Sequence, residues 1–224
     1  VWQEVNLLVF LALAAYAVYL FAYVVYSRYL FIKLGEKAPY KQHFDARLRQ
    51  IWINVFGQKK LLQDKKSGWM HVVMFYGFIV LQFGALDLFV KGLFPGKHIP
   101  YPAYPLFTFI QEIVTVLVLL ATIYAAYRRF GEKLARLKQT WKAGLVIWFL
   151  SALMVSILMS AAFDVLWHDE PLGWAHPVAS VLALPLSGLS DTAAMTSFYI
   201  FWWMHALVLF AFFVYVPQSK HAHL

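Results

Sequence analysis

The sequence has no cysteine and little charge. Without cysteine, the chain itself forms no disulfide, no thiolate-held iron–sulfur cluster and no zinc–cysteine site. Covalent c-type haem is excluded as well, because it needs a Cys-x-x-Cys-His segment. Charged residues make up 13% of the 224 positions and apolar ones 62%. A soluble domain carries about a quarter charged and about half apolar residues. There is no phosphate loop, no nucleophile–base pair and no Glu-x-x-His motif, so no soluble-enzyme site stands out. The net charge of +8 does not point to nucleic acid. The basic residues lie in short loops between apolar blocks, not on a soluble domain. The chain begins at Val1 and reads as an excerpt of a longer one.

What is present is five long apolar blocks. They run roughly from Val5 to Phe31, Trp69 to Val90, Leu106 to Tyr127, Trp141 to Trp167 and Ala194 to Val216. Each supplies the roughly 20 residues that a helix needs to cross the hydrocarbon layer. In a five-span arrangement, seventeen of the nineteen Lys and Arg residues fall on one side, leaving only Lys91 and Lys97 on the other. Asp164, Asp169, Glu170 and Asp191 share that other side. Loops rich in Lys and Arg stay in the cytoplasm. The expected fold is therefore all-α: an integral, multi-pass bundle of five transmembrane helices in the cell (cytoplasmic) membrane. Its N-terminus is outside and its C-terminus is cytoplasmic, and residues 1–224 form a single transmembrane domain.

Ionisable residues inside the hydrocarbon are costly, and each is a functional candidate. His71 lies about one turn into the second span, and His205 lies in the outer half of the fifth. His221 and His223 follow Pro217. His205 and His223 are 18 residues apart, or five helical turns, so they share a face if the helix continues past Pro217. Two imidazoles stacked near opposite sides of the bilayer suit two haems, and bis-imidazole iron is an electron carrier. His71 is at the depth to face His223, and His221 is its alternate. Each of these residues also has a plainer reading, as an interfacial or helix–helix hydrogen-bonding residue. His43, His98, His168 and His176 read as surface residues. Asp87 and Glu112 sit near the outer ends of their spans, either to handle quinone protons or simply as hydrated groups. Gln82 lies near the His71 face, positioned for a cofactor or a neighbouring helix. Gly77 and Gly84 allow a flat macrocycle or another helix to come close.

The segments Gly57–Lys60, Lys65–His71 and Val216–His223 carry a resemblance. The chain resembles the dihaem cytochrome b membrane subunit (gamma subunit) of respiratory nitrate reductase. More closely, it is similar to the N-terminal membrane region of iron–sulfur oxidoreductases related to heterodisulfide reductase. Some members of that group are electron transfer flavoprotein:menaquinone oxidoreductases. His205 and His223 match the gamma pattern's pair on span five, and His71 matches its first ligand on span two. The second ligand position falls at Leu81, beside Gln82. The resemblance implies haem b, one or two per chain, with an inner haem held by His71 and His223. It leaves the partner of His205 open between His168, His176 and an empty outer site. It also implies a cytoplasmic iron–sulfur domain or subunit as electron donor, an electron transfer flavoprotein behind it, and menaquinone as the quinone. The expected function is thus a membrane electron-transfer module of a quinone-linked respiratory oxidoreductase. The rivals are a cofactor-free proton- or ion-conducting transporter and a structural membrane anchor for a soluble redox enzyme.

Overall fold

The computed structural model describes residues 2–36, 43–132, 141–170 and 172–219, and these residues are helical with short connections. Five long helices dominate: α1 (Trp2–Lys33), α3 (Lys65–Leu93), α4 (Tyr104–Ala126), α5 (Trp141–Trp167) and α7 (Asp191–Tyr215). Two shorter ones, α2 (Phe44–Ile51) and α6 (Pro177–Ala183), lie in connections. The five long helices are long and apolar enough to cross a membrane. At 1.5 Å per residue the 32 residues of α1 extend about 48 Å, beyond the roughly 30 Å hydrocarbon layer.

α1, α3 and the N-terminal ends of α4 and α7 overrun the expected apolar blocks, at the start of α3 because polar residues join the helix. Lys65 and Lys66 belong to α3, whose N-cap Asp64 accepts from Ser67 N at 3.3 Å. Such a cap satisfies one of the free N–H groups of a first turn. Arg128 Nη1 donates to Ser67 Oγ at 2.7 Å, tying the end of α4 to the start of α3. The segment after Lys33 is also more ordered than a plain loop, since α2 and the wide turn Trp52–Phe56 lie within it.

Around the bundle the order is α1, α7, α5, α4, α3. α5 packs most heavily on α7 and supplies much of the core, with Leu153, Met154, Ile157 and Ala162 buried. α1 is the most peripheral and buries only Asn6, Phe10 and Ala17. Leu8, Leu11, Val18 and Tyr19 on α1 are exposed, as are Leu117, Leu120 and Ile123 on α4. Apolar belts of this extent on several helices suit lipid as the surrounding solvent. Small residues set the close contacts. Gly77 faces Val118 and Gly84 faces Gln111, so both glycines serve the α3–α4 interface rather than a macrocycle. Thr115 and Thr122 are fully buried on α4 and donate to the carbonyls of Gln111 and Val118.

The two ends of the bundle differ in charge. The acidic end carries Asp87, Glu112, Asp164 and Asp191. The basic end carries Lys33, Lys65, Lys66 and Arg128. At the acidic end one residue clamps three helices. Asn6 Nδ2 donates to Gly92 O at 3.1 Å, and Trp203 Nε1 donates to Asn6 Oδ1 at 3.1 Å. Trp202 Nε1 donates to Leu88 O at 2.7 Å, with its indole lying on Gly92.

α7 gives up α-geometry at Tyr215. A tight turn spans Val216–Gln218, and Ser219 is extended at φ −97° and ψ 172°. Pro217 cannot continue the helical ladder, because it lacks an N–H. The continuous helix on which a common face for His205 and His223 was conditional therefore ends before Ser219. His221 and His223 themselves lie outside the described residues.

Candidate functional site

His205 sits mid-helix on α7, is 2% exposed, and packs against Phe89 at 6.2 Å between ring centres. Its Nδ1 lies 2.9 Å from Ser156 Oγ on α5. The Ser156 hydroxyl proton is committed to Leu153 O at 2.8 Å. The Ser156 oxygen therefore accepts from Nδ1–H, and Nε2 carries the lone pair. That buried Nε2 has no hydrogen-bond partner among the described residues. A neutral ring locked through one nitrogen, with the other free to bind, is the form in which histidine ligates a metal. Sequence reasoning selected His205 but missed Ser156, whose role depends on how α5 is turned toward α7.

His71 is exposed on α3. It shares a helix face with Phe89, 18 residues on. The stripe changes character along its length: His71, Phe78 and Gln82 are exposed, Phe89 is half-buried, and Ala85 is buried. At its buried end this face meets α1 and α7 through Phe10 and Trp202. Toward the basic end it carries the exposed His71, Phe78 and Gln82, with Phe75 between them half-buried against Phe56. Gln82 thus points away from Asp87 and Glu112, which the structure brings to one cavity. Leu81, where a second span-two ligand would stand, is buried at 3% in the hydrophobic core.

That cavity lies at the acidic end between α3, α4 and α5 and encloses about 40 Å³. Asp87 and Glu112 are both buried there rather than hydrated at an open interface. Asp87 Oδ1 accepts from Ile99 N at 2.7 Å, and Oδ2 accepts from Tyr104 Oη at 2.7 Å. Glu112 Oε2 accepts from Val178 N at 2.7 Å and Ala179 N at 3.0 Å, at the start of α6. Lys91 forms an ion pair with Asp164 on α5. Buried charges persist only when paired in this way. Asp164 also holds His168 Nδ1 at 3.0 Å. That hydrogen bond raises the His168 pKa above its ordinary 6.5.

His176 is engaged by Glu112 at 3.3 Å. Both loop histidines named as partners for His205 are therefore held by carboxylates, not by the His205 ring. The Lys91–Asp164 pair was missed because Lys91 entered only as a loop charge. The signal was available, since both residues fall within apolar runs, where ionisable groups pair. Among the described residues no group of three or more His, Asp and Glu side chains is arranged to hold a bare metal ion.

Fold and site together define a polytopic helical bundle of membrane-spanning dimensions, with a buried, pre-oriented imidazole and a paired charge cluster at one end. The comparisons with known proteins point in a compatible direction. The chain is 56% identical over 220 residues to the probable iron–sulfur-binding oxidoreductase FadF of Bacillus subtilis (strain 168), covering 98% of this chain and 31% of the relative. It is 23% identical over 199 residues to the EtfAB:quinone oxidoreductase of Syntrophomonas wolfei subsp. wolfei, covering 80% of this chain and 27% of that protein. The chain spans less than a third of the length of the curated relatives it matches. No family model matches, and no solved structure matches.

Proposed function

We propose that this chain is the membrane electron-transfer part of a quinone-linked oxidoreductase and that it holds haem b. The observation that carries this reading is His205, whose buried Nε2 is unpartnered while Nδ1 is locked by Ser156. A core imidazole left this way loses hydrogen-bond energy unless a ligand takes the lone pair. Haem iron accepts such a nitrogen and supplies one-electron chemistry. The protein's part is to orient the rings and keep the site dry.

His71 and His223 are proposed as the axial pair of an inner haem at the basic end, with His221 as the alternate to His223. The exposure of His71, Phe78 and Gln82 along this face supports this, because it leaves those side chains accessible among the described residues. The dihaem pattern of the nitrate reductase gamma subunit is proposed only in part, since Leu81 offers no ligand for a second haem beside His205. The lysines and arginines of the basic end support its proposed position at the cytoplasmic face of the cell membrane. Residues 1–224 are proposed as one transmembrane unit of a longer protein, in keeping with relatives about three times its length. Its donor is then an iron–sulfur domain or subunit fed by an electron transfer flavoprotein, and its acceptor is menaquinone. Asp87 and Glu112 are the proposed quinone-end residues. Gln82, on the exposed stripe, is the weakest member of that set.

A cofactor-free ion path is less well supported, because among the described residues the ionisable cluster stops at the acidic end and His205 alone lies deeper. The test is a reduced-minus-oxidised visible spectrum of the full-length protein. A b-type band is expected. His205→Ala and His71→Ala are each expected to lower haem per polypeptide, measured by pyridine extraction. Wild-type protein without a b-type band overturns the reading. Unchanged haem in both variants overturns the ligand assignment.

A further inference from the structure

The cavity at the acidic end contains an unexplained polar atom. Ser160 lines it, is fully buried, and its Oγ has no hydrogen-bond partner among the described residues. A cavity of 40 Å³ has room for roughly two or three waters, and a buried hydroxyl is what such water satisfies. The charged and titratable groups around it come from every packed element. They are Asp87 and Lys91 from α3, Tyr104 and Glu112 from α4, and Asp164 from α5. His168, Glu170 and His176 come from the connection that follows α5.

Most of these groups are fully engaged. Lys91 and Asp164 neutralise one another, with His168 on the same carboxylate. Asp87 has a donor on each oxygen. Glu112 is different. Backbone N–H groups occupy Oε2, while Oε1 faces His176 Nδ1 at 3.3 Å. On the far side of that ring, Nε2 faces Glu170 Oε2 at 3.4 Å. Exposure rises along the series: the side chains of Glu112, His176 and Glu170 are 4%, 14% and 38% exposed. An imidazole with a buried carboxylate on one nitrogen and a surface carboxylate on the other is the arrangement that moves protons.

We propose that Glu112, His176 and Glu170 form a proton wire joining the hydrated cavity to the surface at the acidic end. The balance is simple. A proton leaves Glu112 Oε1 for His176 Nδ1, and the proton on Nε2 passes to Glu170 Oε2. Glu112 ends with one proton fewer and Glu170 with one more, and the ring stays neutral with its tautomer exchanged. Release from Glu170 to solvent and a turn of the ring reset the wire. Service to a quinone rests on the function proposed above; the wire itself does not.

The test uses the full-length protein in lipid nanodiscs, an acid jump, and time-resolved infrared detection of the carboxylic acid band that Glu112→Gln removes. The band is expected to rise on the order of a hundredfold more slowly in His176→Ala, and added imidazole is expected to restore the rate. Glu170→Gln changes a half-buried position at the surface and keeps the side chain's size, and it is expected to slow the band about tenfold. Equal rates in wild type and both variants overturn the wire. So does the absence of any band sensitive to Glu112→Gln, or a slow His176→Ala that imidazole does not rescue. A visible spectrum of the same sample reports separately on haem, so a missing cytochrome band leaves the infrared result intact.

Discussion

The two ends of α3 are built on different principles. At the acidic end the helix is clamped. Asn6 and Trp203 hold the Gly92 carbonyl region, Trp202 lies on Gly92, and Lys91 reaches Asp164. At the basic end α3 is tied to α4 through Arg128 and Ser67, while His71, Phe78 and Gln82 on its other face are exposed. Charge is largely internal at one end and, apart from the buried Arg128, turned outward at the other. Side chains of Lys59, Lys60, Lys65 and Lys66 are exposed, positioned for water and lipid phosphate. The difference teaches that the same helix serves as a structural post where it is buried and as a candidate ligand platform where it is open.

Three substitutions would break or sharpen this comparison. Asp164→Ala should have the largest effect, because it leaves Lys91 buried without its counter-charge. A loss of about 3–5 kcal/mol is expected in thermal or denaturant unfolding in detergent. Adding Lys91→Met should recover part of it, as coupled partners do. If Asp164→Ala unfolds no more readily than Lys59→Gln at the basic end, the contrast between the ends is wrong. Gly92→Leu comes next. Any Cβ there meets the Trp202 indole, so repacking should cost about 1–3 kcal/mol, while the corresponding change at exposed Phe78 should be near neutral.

The smallest effect concerns pH. Asp164 raises the His168 pKa, so the folded state favours the protonated ring. That contribution is fully present below about pH 6.5. It fades as pH rises through the raised value. His168→Asn should flatten this part of a melting-temperature profile above about pH 6.5, and an unchanged profile would show that the Asp164 contact is energetically idle.

Much of the architecture was legible in the residues. The block ending at Trp167 stops where α5 does, and the other four blocks differ from their helices by one to four residues at each end. His205 was legible as a buried imidazole, because histidine amid Trp202, Trp203 and Met204 has no water to reach. Its partner Ser156 was not, since a serine within an apolar helix gives no local sign of which neighbour it faces. Glu112 and His176 are 64 residues apart, and neither position predicts the other. The helix whose continuation would give His205 and His223 a common face ends for a local reason, the turn at Pro217.

The sequence by itself determined the number of spans and the separation of basic from acidic ends. Backbone groups in hydrocarbon must bond within their own helix, so length and freedom from charge mark each crossing. Tertiary structure alone decided which helices are neighbours and how each is rotated about its axis. In these helices the core-facing and lipid-facing sides are almost equally apolar, so no amphipathic stripe announces the inner face. Only packing of small residues, together with the pairing of the few polar groups, selects one arrangement.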